Sequence, residues 1–424
     1  MLTSVSLVWK WVSSMAVPKL RFKDCGGREF PEWEDKKLGE FFSKINKKNS
    51  DNLIRNVITN SAVNGLIEQR KFFDKDIANK ENTDKYYIIE KGDFVYNPRK
   101  SNVAPYGPVR MYESDCKGIV SPLYLCFKPI DKTLSLLFMK NYFKSSSWHK
   151  YIYANGDTGA RDDRVSVKVT TFLDMPVNIP SLPEQQKIAD FLTAYDTMID
   201  TQTKRVEVMK LRKKGLLQKI FSQEIRFKDD EGREFPEWES KPIGKRCKLI
   251  RGQGLNKEDL SESGVNKVIL YGQLYTEYNE VIQKVCHRTN VSKEKMIISE
   301  AYDILIPGSD TTPTGLARAC CVIEKGVILG GDINVLRPLI DDGRCLSYCI
   351  NANKKMLIPL IKGSTVRHLQ NKDIADVLLF MPSLPEQQKI ADFLTAVDKQ
   401  IEVEEKRLET MKTIKKGLLQ QMFV

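Results

Sequence analysis

The chain has 424 residues, of which 41% are hydrophobic and 29% are charged, and its formal net charge is +12. This composition is typical of globular domains and excludes a fibrous or intrinsically disordered protein, while the length allows two or three domains. The positive charge favours a polyanionic partner such as a nucleic acid. Nine cysteines at scattered positions exclude a disulfide framework and predict a reducing, cytoplasmic location.

The first residues of the chain have no counterpart in its second half. They read MLTSVSLVWKWVSSMA, an apolar run that Lys10 interrupts and that no basic residue precedes. The run is too short to span a membrane and lacks the charged start of a signal peptide. We therefore predict a disordered N-terminal extension over residues 1–17.

A first repeat follows this extension. The segment LRFKDCGGREFPEWE at 20–34 returns as IRFKDDEGREFPEWE at 225–239. Its tryptophans, Trp33 and Trp238, are predicted to anchor packing at the entrance to a domain, since a large aromatic side chain buries much apolar surface.

The segment after the first repeat mixes strand and helix signals. Short apolar runs predict strands, and one longer stretch predicts a short helix. The strands are expected at 86–89, 93–96, 109–112 and 123–127, and the helix at 134–144. Two polar loops at 97–107 and 155–164 carry Pro or Gly. We expect a first mixed domain over residues 18–180.

A second repeat then opens a long helix. The sequence PSLPEQQKIADFLTA at 180–194 returns unchanged at 382–396. In the first copy Ser181 and Glu184 have the spacing of a capping box, and apolar residues then recur at alternating steps of four and three. This period predicts coiled-coil helices over 181–223 and 383–424, which we read as the products of an internal duplication.

The region between the two long helices, residues 224–382, repeats the layout of the first domain with little identity to it. A strand is predicted at 303–306 and more strands at 327–337, with polar loops at 307–315 and 362–370. The chain thus alternates a variable domain with a fixed helix, twice.

The polar loops and the segments beside them hold side chains suited to nucleic acid. Arg and Gln can contact guanine or adenine edges with two hydrogen bonds, while Lys, Ser and Thr suit phosphates. The candidates for DNA contact are Arg99, Lys100, Arg110, Arg161, Arg164, Arg251, Gln253, Ser309, Thr311, Thr312, Arg318 and Arg367.

Enzyme signatures are missing from the sequence. There is no phosphate-binding loop and no dinucleotide-binding glycine motif, and the three histidines have neither metal nor triad spacing. A nuclease-like set at Glu32, Glu34 and Lys36 is compressed into one short segment. We therefore predict no catalytic residue and no metal site in this chain.

Taken together, the twin PSLPEQQKIADFL and RFKD…GREFPEW segments and the two diverged inserts resemble the specificity subunit of a Type I restriction–modification system. The resemblance covers residues 18–424. It implies an α/β (α+β) fold, with two mixed target recognition domains separated by two long antiparallel coiled-coil helices in a pseudo-twofold internal repeat.

The same resemblance implies a function. Each domain would read one half of a split duplex DNA site, while the helices set the spacing and dock two methyltransferase subunits. Motor–nuclease subunits would complete the complex. S-adenosylmethionine, ATP and Mg²⁺ would belong to those partners, leaving this chain without a cofactor. On the residues alone, a coiled-coil adaptor without DNA readout and a stand-alone methyltransferase remain open.

A few polar residues occupy positions in the apolar stripe of each predicted coiled-coil helix, and these residues predict how the two helices pair. A parallel pair in repeat register would set Lys213 against Lys415, so an antiparallel pair is expected. The register that matches the apolar positions brings Lys213 to Glu404 and Gln202 to Lys415. It also predicts that Val424 lies near Arg21.

Overall fold

The computed structural model describes residues 18–72, 83–157 and 163–424. Residues 1–17, for which a disordered extension is predicted, lie outside these ranges. The chain divides into two compact units, Met1–Gln202 with Arg407–Val424, and Thr203–Lys406. Each unit therefore contains one variable domain, the first half of the helix that follows it, and the second half of the other long helix.

The described residues of the first unit form ten strands and five short helices before the first long helix begins. The strands are β1 (Glu34–Lys37), β2 (Phe42–Lys44), β3 (Ile58–Ser61), β4 (Gly65–Glu68), β5 (Tyr87–Ile89), β6 (Phe94–Tyr96), β7 (Val109–Met111), β8 (Gly118–Val120), β9 (Leu125–Pro129) and β10 (Pro176–Ile179). The helices are α1 (Leu38–Phe41), α2 (Gln69–Phe72), α3 (Leu136–Tyr142), α4 (His149–Asn155), α5 (Val169–Leu173) and the long α6 (Leu182–Phe221).

An antiparallel sheet in the order β2-β9-β6-β7 forms the centre of the first unit. Its central strand β6 is buried on both faces, which agrees with its unbroken apolar sequence. Phe94 stacks on Phe127, with ring centroids 5.5 Å apart, and Phe42 packs edge-on against both rings. The strands and the short helix predicted here are confirmed.

The second unit is built similarly around a larger sheet. Its strands are β11 (Glu239–Pro242), β12 (Cys247–Arg251), β13 (Asn266–Ile269), β14 (Val281–Ile282), β15 (Arg288–Thr289), β16 (Asp303–Pro307), β17 (Ser309–Asp310), β18 (Cys320–Val322), β19 (Ile328–Leu329), β20 (Ile333–Pro338), β21 (Arg367–His368) and β22 (Leu378–Met381). The α-helices are α7 (Ile243–Arg246), α8 (Gln273–Thr276), α9 (Pro313–Leu316), α10 (Gly343–Ala352), α11 (Asn371–Ala375) and the long α12 (Leu384–Met422).

The main sheet of the second unit has the order β12-β20-β16-β18-β14 and is mixed, because β14 pairs with β18 in parallel. A second, three-stranded sheet has the order β15-β13-β19. Helix α10 covers the main sheet, and Asp342 caps it by accepting hydrogen bonds from the backbone N–H groups of Arg344 and Cys345. Both domains are therefore mixed α/β, as predicted.

The fixed repeats form a clamp at the start of each long helix. Glu184 is fully buried, and its carboxylate accepts hydrogen bonds from the Arg21 guanidinium at 2.7 Å and from the Trp33 indole at 3.2 Å. In the second unit the corresponding residues are Arg226, Trp238 and Glu386. Because a buried carboxylate is stable only with such partners, the two repeats require each other. The predicted anchoring role of the tryptophans is confirmed.

A glutamine next to each buried glutamate connects the long helix to its domain. Gln185 Oε1 accepts a hydrogen bond at 2.8 Å from the backbone N–H of Ser135, the residue that caps α3. Gln387 does the same at 2.9 Å for Asp342, which caps α10. The repeated Glu-Gln pair thus fixes the long helix to the fold in both units.

The helix segments within the first unit run antiparallel. Lys415, near the end of α12, forms an ion pair with Asp196 in the first half of α6, and Asp196 also binds Lys144 at 2.9 Å. The backbone N–H of Leu20 donates to the carbonyl oxygen of Gln421 at 3.0 Å. The predicted antiparallel direction is therefore confirmed, as is the approach of the C-terminal end to the first repeat.

The predicted register of the helices is wrong. In the second unit the Lys213 ammonium lies 2.5 Å from Asp398 and 2.6 Å from Glu280, while Glu404 binds Arg205 at 2.7 Å. The prediction considered only the two helices as partners. Glu280 belongs to the recognition domain, so it supplies a carboxylate for Lys213 that no pairing of helical seams could reveal.

The ion cluster around Lys213 is mostly shielded from solvent. Burial lowers the pKa of Lys213, but Glu280 and Asp398 outweigh it and raise that pKa above its ordinary value. Burial likewise raises the pKa of Glu280, and Lys213 more than reverses the change. Asp398 has a raised pKa because burial dominates there. The cluster therefore holds a charged network between α6, α12 and the second domain.

Candidate nucleic-acid interface

The two polar loops predicted in the first domain meet at one end of its central sheet. One loop follows β6, and the other precedes α5. The carbonyl oxygen of Pro98 accepts a hydrogen bond from the N–H of Val165 at 2.9 Å, and the N–H of Lys100 donates to the carbonyl oxygen of Asp163 at 2.8 Å. These backbone contacts combine the loops into a single surface, which we call the first paired loop (97–107 with 163–166).

Two arginines of the first paired loop flank one carboxylate. The side chains of Arg99 and Arg164 each lie 3.7 Å from Asp163, and their backbones form an isolated β-bridge. A cleft of about 150 Å³ beside them is also lined by Asn97 and Tyr124. Arg99 is largely exposed, so its guanidinium is available to an anion or to a base edge.

The other two arginines predicted in the first domain are placed differently. Arg110 donates to the carbonyl oxygens of Val109 at 3.2 Å and of Ala62 at 3.1 Å. Burial lowers the pKa of this guanidinium. Arg110 is therefore tied to the β3–β4 turn and is not part of the paired loop. Arg161 lies outside the described residues.

The second domain places its polar loops in the same way. The carbonyl oxygen of Gly308 accepts a hydrogen bond from the N–H of Leu369 at 3.0 Å, as Pro98 does for Val165 in the first domain. Strands β17 and β21 then pair Ser309 with His368 and Asp310 with Arg367. This second paired loop (307–315 with 362–370) brings four predicted residues together: Ser309, Thr311, Thr312 and Arg367.

Arg251 lies at the edge of the second paired loop. Its Nη2 is 2.6 Å from Asp332 Oδ1, and its Nη1 is 3.1 Å from Asn334 Oδ1. The other oxygen of Asp332 accepts a hydrogen bond from Ser309 Oγ at 3.0 Å. Arg251 and Ser309, predicted separately from sequence, thus share one carboxylate.

The remaining candidates have mixed positions. Thr312 caps α9 by accepting a hydrogen bond from the N–H of Gly315, and its hydroxyl donates to Asp310 Oδ2 at 2.8 Å. Gln253 is exposed next to Arg251. Arg318, in contrast, is partly buried and donates to the carbonyl oxygen of Tyr278. The structure therefore does not bring Arg318 to the paired loop.

Sequence reasoning missed the acidic and amide side chains that hold these arginines. Asp163, Asp332 and Asn334 were not among the candidates, which were residue types suited to donating to base edges and phosphates. A signal for Asp332 was present, since it follows Gly330 and Gly331, and a glycine pair before Asp indicates a turn.

The chain matches one family model over most of its length. The family model described as "Type I restriction modification DNA specificity domain" matches it twice, over residues 31–210 and 236–413. Each match includes one variable domain with its paired loop and a large part of the long helix that follows. The chain belongs to this family, and the resemblance noted from its repeats is confirmed.

Individual relatives agree with the family assignment. The specificity subunits of the type I restriction enzymes MjaX and MjaVIII of Methanocaldococcus jannaschii are 26% and 23% identical to it, and each alignment covers 94% of both chains. A crystal structure of a type I restriction–modification system S subunit from M. genitalium is 15% identical and has a TM-score of 0.55, covering 96% of this chain and 99% of the other. This structure shares the fold.

The described part of the chain contains neither a candidate metal cluster nor a candidate membrane span. No group of three or more His, Cys, Asp or Glu side chains in residues 18–72, 83–157 and 163–424 is placed to hold a metal ion. Within the same ranges, no helix combines the length and apolar content needed to cross a membrane.

Proposed function

We propose that this chain is the DNA-recognition subunit of a Type I restriction–modification enzyme, in which each of the two domains reads one half of a split duplex site. The observation that carries the proposal is the repeated paired loop. The same backbone contacts join Pro98 to Val165 in one domain and Gly308 to Leu369 in the other. A common frame thus presents two different sets of side chains.

The side chains at equivalent positions of the two paired loops differ in charge. Where the first domain sets Arg99 against Arg164, the second sets Ser309 against His368. Phosphate contacts alone would favour similar cations in both places, because every base pair carries the same phosphates. Unlike side chains on a common frame favour two half-sites of different sequence.

The long helices and the partners complete the proposal. We propose that the long helices set the number of base pairs between the half-sites and that they dock two methyltransferase subunits. Motor–nuclease subunits join the full complex. In this assignment the chain itself is not catalytic. S-adenosylmethionine, ATP and Mg²⁺ are bound by the partners. All nine cysteines are free thiols, which fits a cytoplasmic location.

Duplex binding tests the proposal. The chain, assembled with its methyltransferase subunits, is titrated with a pool of genomic duplex fragments at several salt concentrations. We expect retention of fragments that share a split motif, with the logarithm of the binding constant falling linearly with the logarithm of salt concentration. Equal retention of all fragments, or none, would support an adaptor that binds protein only. Binding of S-adenosylmethionine to the isolated chain would contradict the placement of that cofactor in the partners.

A further inference from the structure

The contacts of Arg251 form a small network at the end of the second domain's main sheet. Arg251 ends strand β12, and its two terminal nitrogens bind Asp332 and Asn334 on the neighbouring strand and turn. Asn334 is fully buried and donates from Nδ2 to the carbonyl oxygen of Leu369 at 2.9 Å. The network therefore links the arginine to the second paired loop.

The backbone around this network is shaped to hold the guanidinium. Asp332 has a φ of +55°, a left-handed conformation that most residues avoid and that Asp and Asn tolerate best. Its carbonyl oxygen accepts a hydrogen bond from the N–H of Gly308 at 2.6 Å. A Cβ on Gly308 would lie only 2.8 Å from Arg251 Nη2. A larger residue at this position would force the guanidinium or the Asp332 backbone to shift.

The arginine keeps hydrogen-bonding capacity for a ligand. Each terminal nitrogen of a guanidinium carries two hydrogens, and the contacts with Asp332 and Asn334 use one on each. The side chain of Arg251 is 39% exposed. One hydrogen on each terminal nitrogen is therefore left for acceptors on a ligand.

The charge beside Arg251 favours one kind of ligand. Asp332 pairs with the guanidinium and offsets its positive charge. An anionic phosphate is therefore attracted less strongly than it would be by an unpaired arginine, whereas a neutral base edge needs only hydrogen-bond donors. Among base edges in the major groove, only guanine offers two acceptors side by side, O6 and N7.

From this geometry we propose that Arg251 reads a guanine in the half-site of the second domain, and that Asp332 is the positioning residue that orients it. The inference rests on the proposed DNA-recognition function. It adds the identity of one base pair in the second half-site and the residues that recognise that base pair. Ser309 contributes by holding the second oxygen of Asp332.

The test is selection from a duplex library in which the second half-site is randomised, using the chain assembled with its methyltransferase subunits. We expect the native complex to prefer G·C at one position. Arg251→Ala should relax that position by about 5- to 150-fold and leave the others unchanged. Arg251→Lys should also relax it, because an ammonium cannot reproduce two parallel donors.

Asp332→Asn separates a positioning role from a merely structural one. Asn fits the left-handed backbone and keeps the size of the side chain, so the fold is retained. We expect partial relaxation of the same G·C pair, together with tighter binding to unrelated duplexes, since a negative charge is removed. Arg233→Ala is the matched control, because Arg233 also pairs with an aspartate, Asp229, but lies in the fixed repeat.

The outcomes distinguish this inference from the proposed function. If a split motif is selected but Arg251→Ala relaxes no position, or relaxes an A·T pair, the inference is overturned and the proposed function stands. A uniform loss of affinity with a smaller salt dependence would show a phosphate contact and would also overturn it. If the native complex selects no motif at all, the proposed function itself fails.

Discussion

Arg21 and Glu184, far apart in sequence, form an ion pair of 2.7 Å in which the carboxylate is fully buried. Both residues belong to the segments that repeat in the chain, and Arg226 with Glu386 forms the same pair in the second unit. The fixed residues of the repeats are therefore explained by a structural task. They hold the start of each long helix against the domain that precedes it.

Removing the arginine of this pair should destabilise the first unit. Arg21→Ala leaves the buried Glu184 carboxylate with the Trp33 indole N–H but without its cation, and we expect a loss of about 3 kcal/mol in the free energy of unfolding. Lys23→Ala removes an exposed ion pair with Glu29 and should cost less than about 0.5 kcal/mol. Urea denaturation of both variants measures the difference, and equal costs would refute the assignment.

The Lys213 cluster should make stability depend on pH. The raised pKa of Lys213 means that its contribution is complete below its ordinary pKa and is lost at higher pH. The lowered pKa of Glu280 means that its contribution is present above its ordinary pKa and is lost as pH falls. Lys213 and Glu280 therefore contribute most between about pH 5 and pH 10. Asp398 acts in the opposite direction, because its raised pKa means that its ionisation costs stability as pH rises.

Lys213→Met tests this dependence. At pH 7 it leaves Glu280 and Asp398 buried without their cation and should lower the free energy of unfolding by about 3 kcal/mol. At pH 5 the loss should be smaller. In the variant the two buried carboxyl groups have lost their cation, so they take up protons at this pH and no longer carry an unpaired charge. Lys210→Met, which removes the more exposed pair with Glu405, is the control. A loss of the same size at both pH values would contradict the account.

Chemical cross-linking can decide the register of the helices. With the exposed Cys25, Cys116 and Cys286 replaced by serine, cysteines at Arg205 and Glu404 should be joined within one chain by a short bis-maleimide. Cysteines at Lys213 and Glu404 belong to the register that the seam pattern predicts, and they should react much less. The yield of each cross-link is measured by peptide mass spectrometry. A higher yield for the pair at 213 and 404 than for the pair at 205 and 404 would support the register predicted from the sequence.

The first paired loop can be tested at Arg99. Arg99→Ala should weaken the binding of duplex DNA by the assembled complex. If the residue reads a base, the cost should be about 1–3 kcal/mol and the base preference should be lost at one position of the half-site. A phosphate contact would instead give a uniform loss and a smaller salt dependence. Lys91→Ala, at the opposite end of strand β6, is the control and should change neither quantity. Unchanged binding by Arg99→Ala would remove this residue from the interface.

Much of the fold could be predicted because the repeats and apolar periods are strong local signals. The apolar run at 304–306 became part of strand β16, and the long helices begin at Leu182 and Leu384, where the repeat predicts them. The predicted capping box is wrong, because the buried Ser181 hydroxyl has no hydrogen-bond partner and the Glu184 carboxylate accepts from Arg21 and Trp33 instead. Helix α10 was not predicted. Its cap, Asp342, lies in a short polar turn, and the cysteines, serine and tyrosine that follow have lower intrinsic helix propensity than alanine or leucine.

The candidate site was predicted only in part, because its residues meet through tertiary contacts. Both polar loops of each domain were found, but nothing local indicates that Pro98 pairs with Val165. Arg318 is of a residue type that often contacts DNA, yet its guanidinium donates to the backbone carbonyl oxygen of Tyr278. The helical register failed for the same reason, since Glu280 comes from outside the helices.

The two domains should read their half-sites independently of each other. The decisive experiment exchanges residues 35–179 for the first insert of another family member and then maps the methylated bases in the genome of a host that carries the complex. We expect one half of the split motif to change, while the other half and the spacer between them stay the same. A change of both halves together, or of neither, would contradict independent reading.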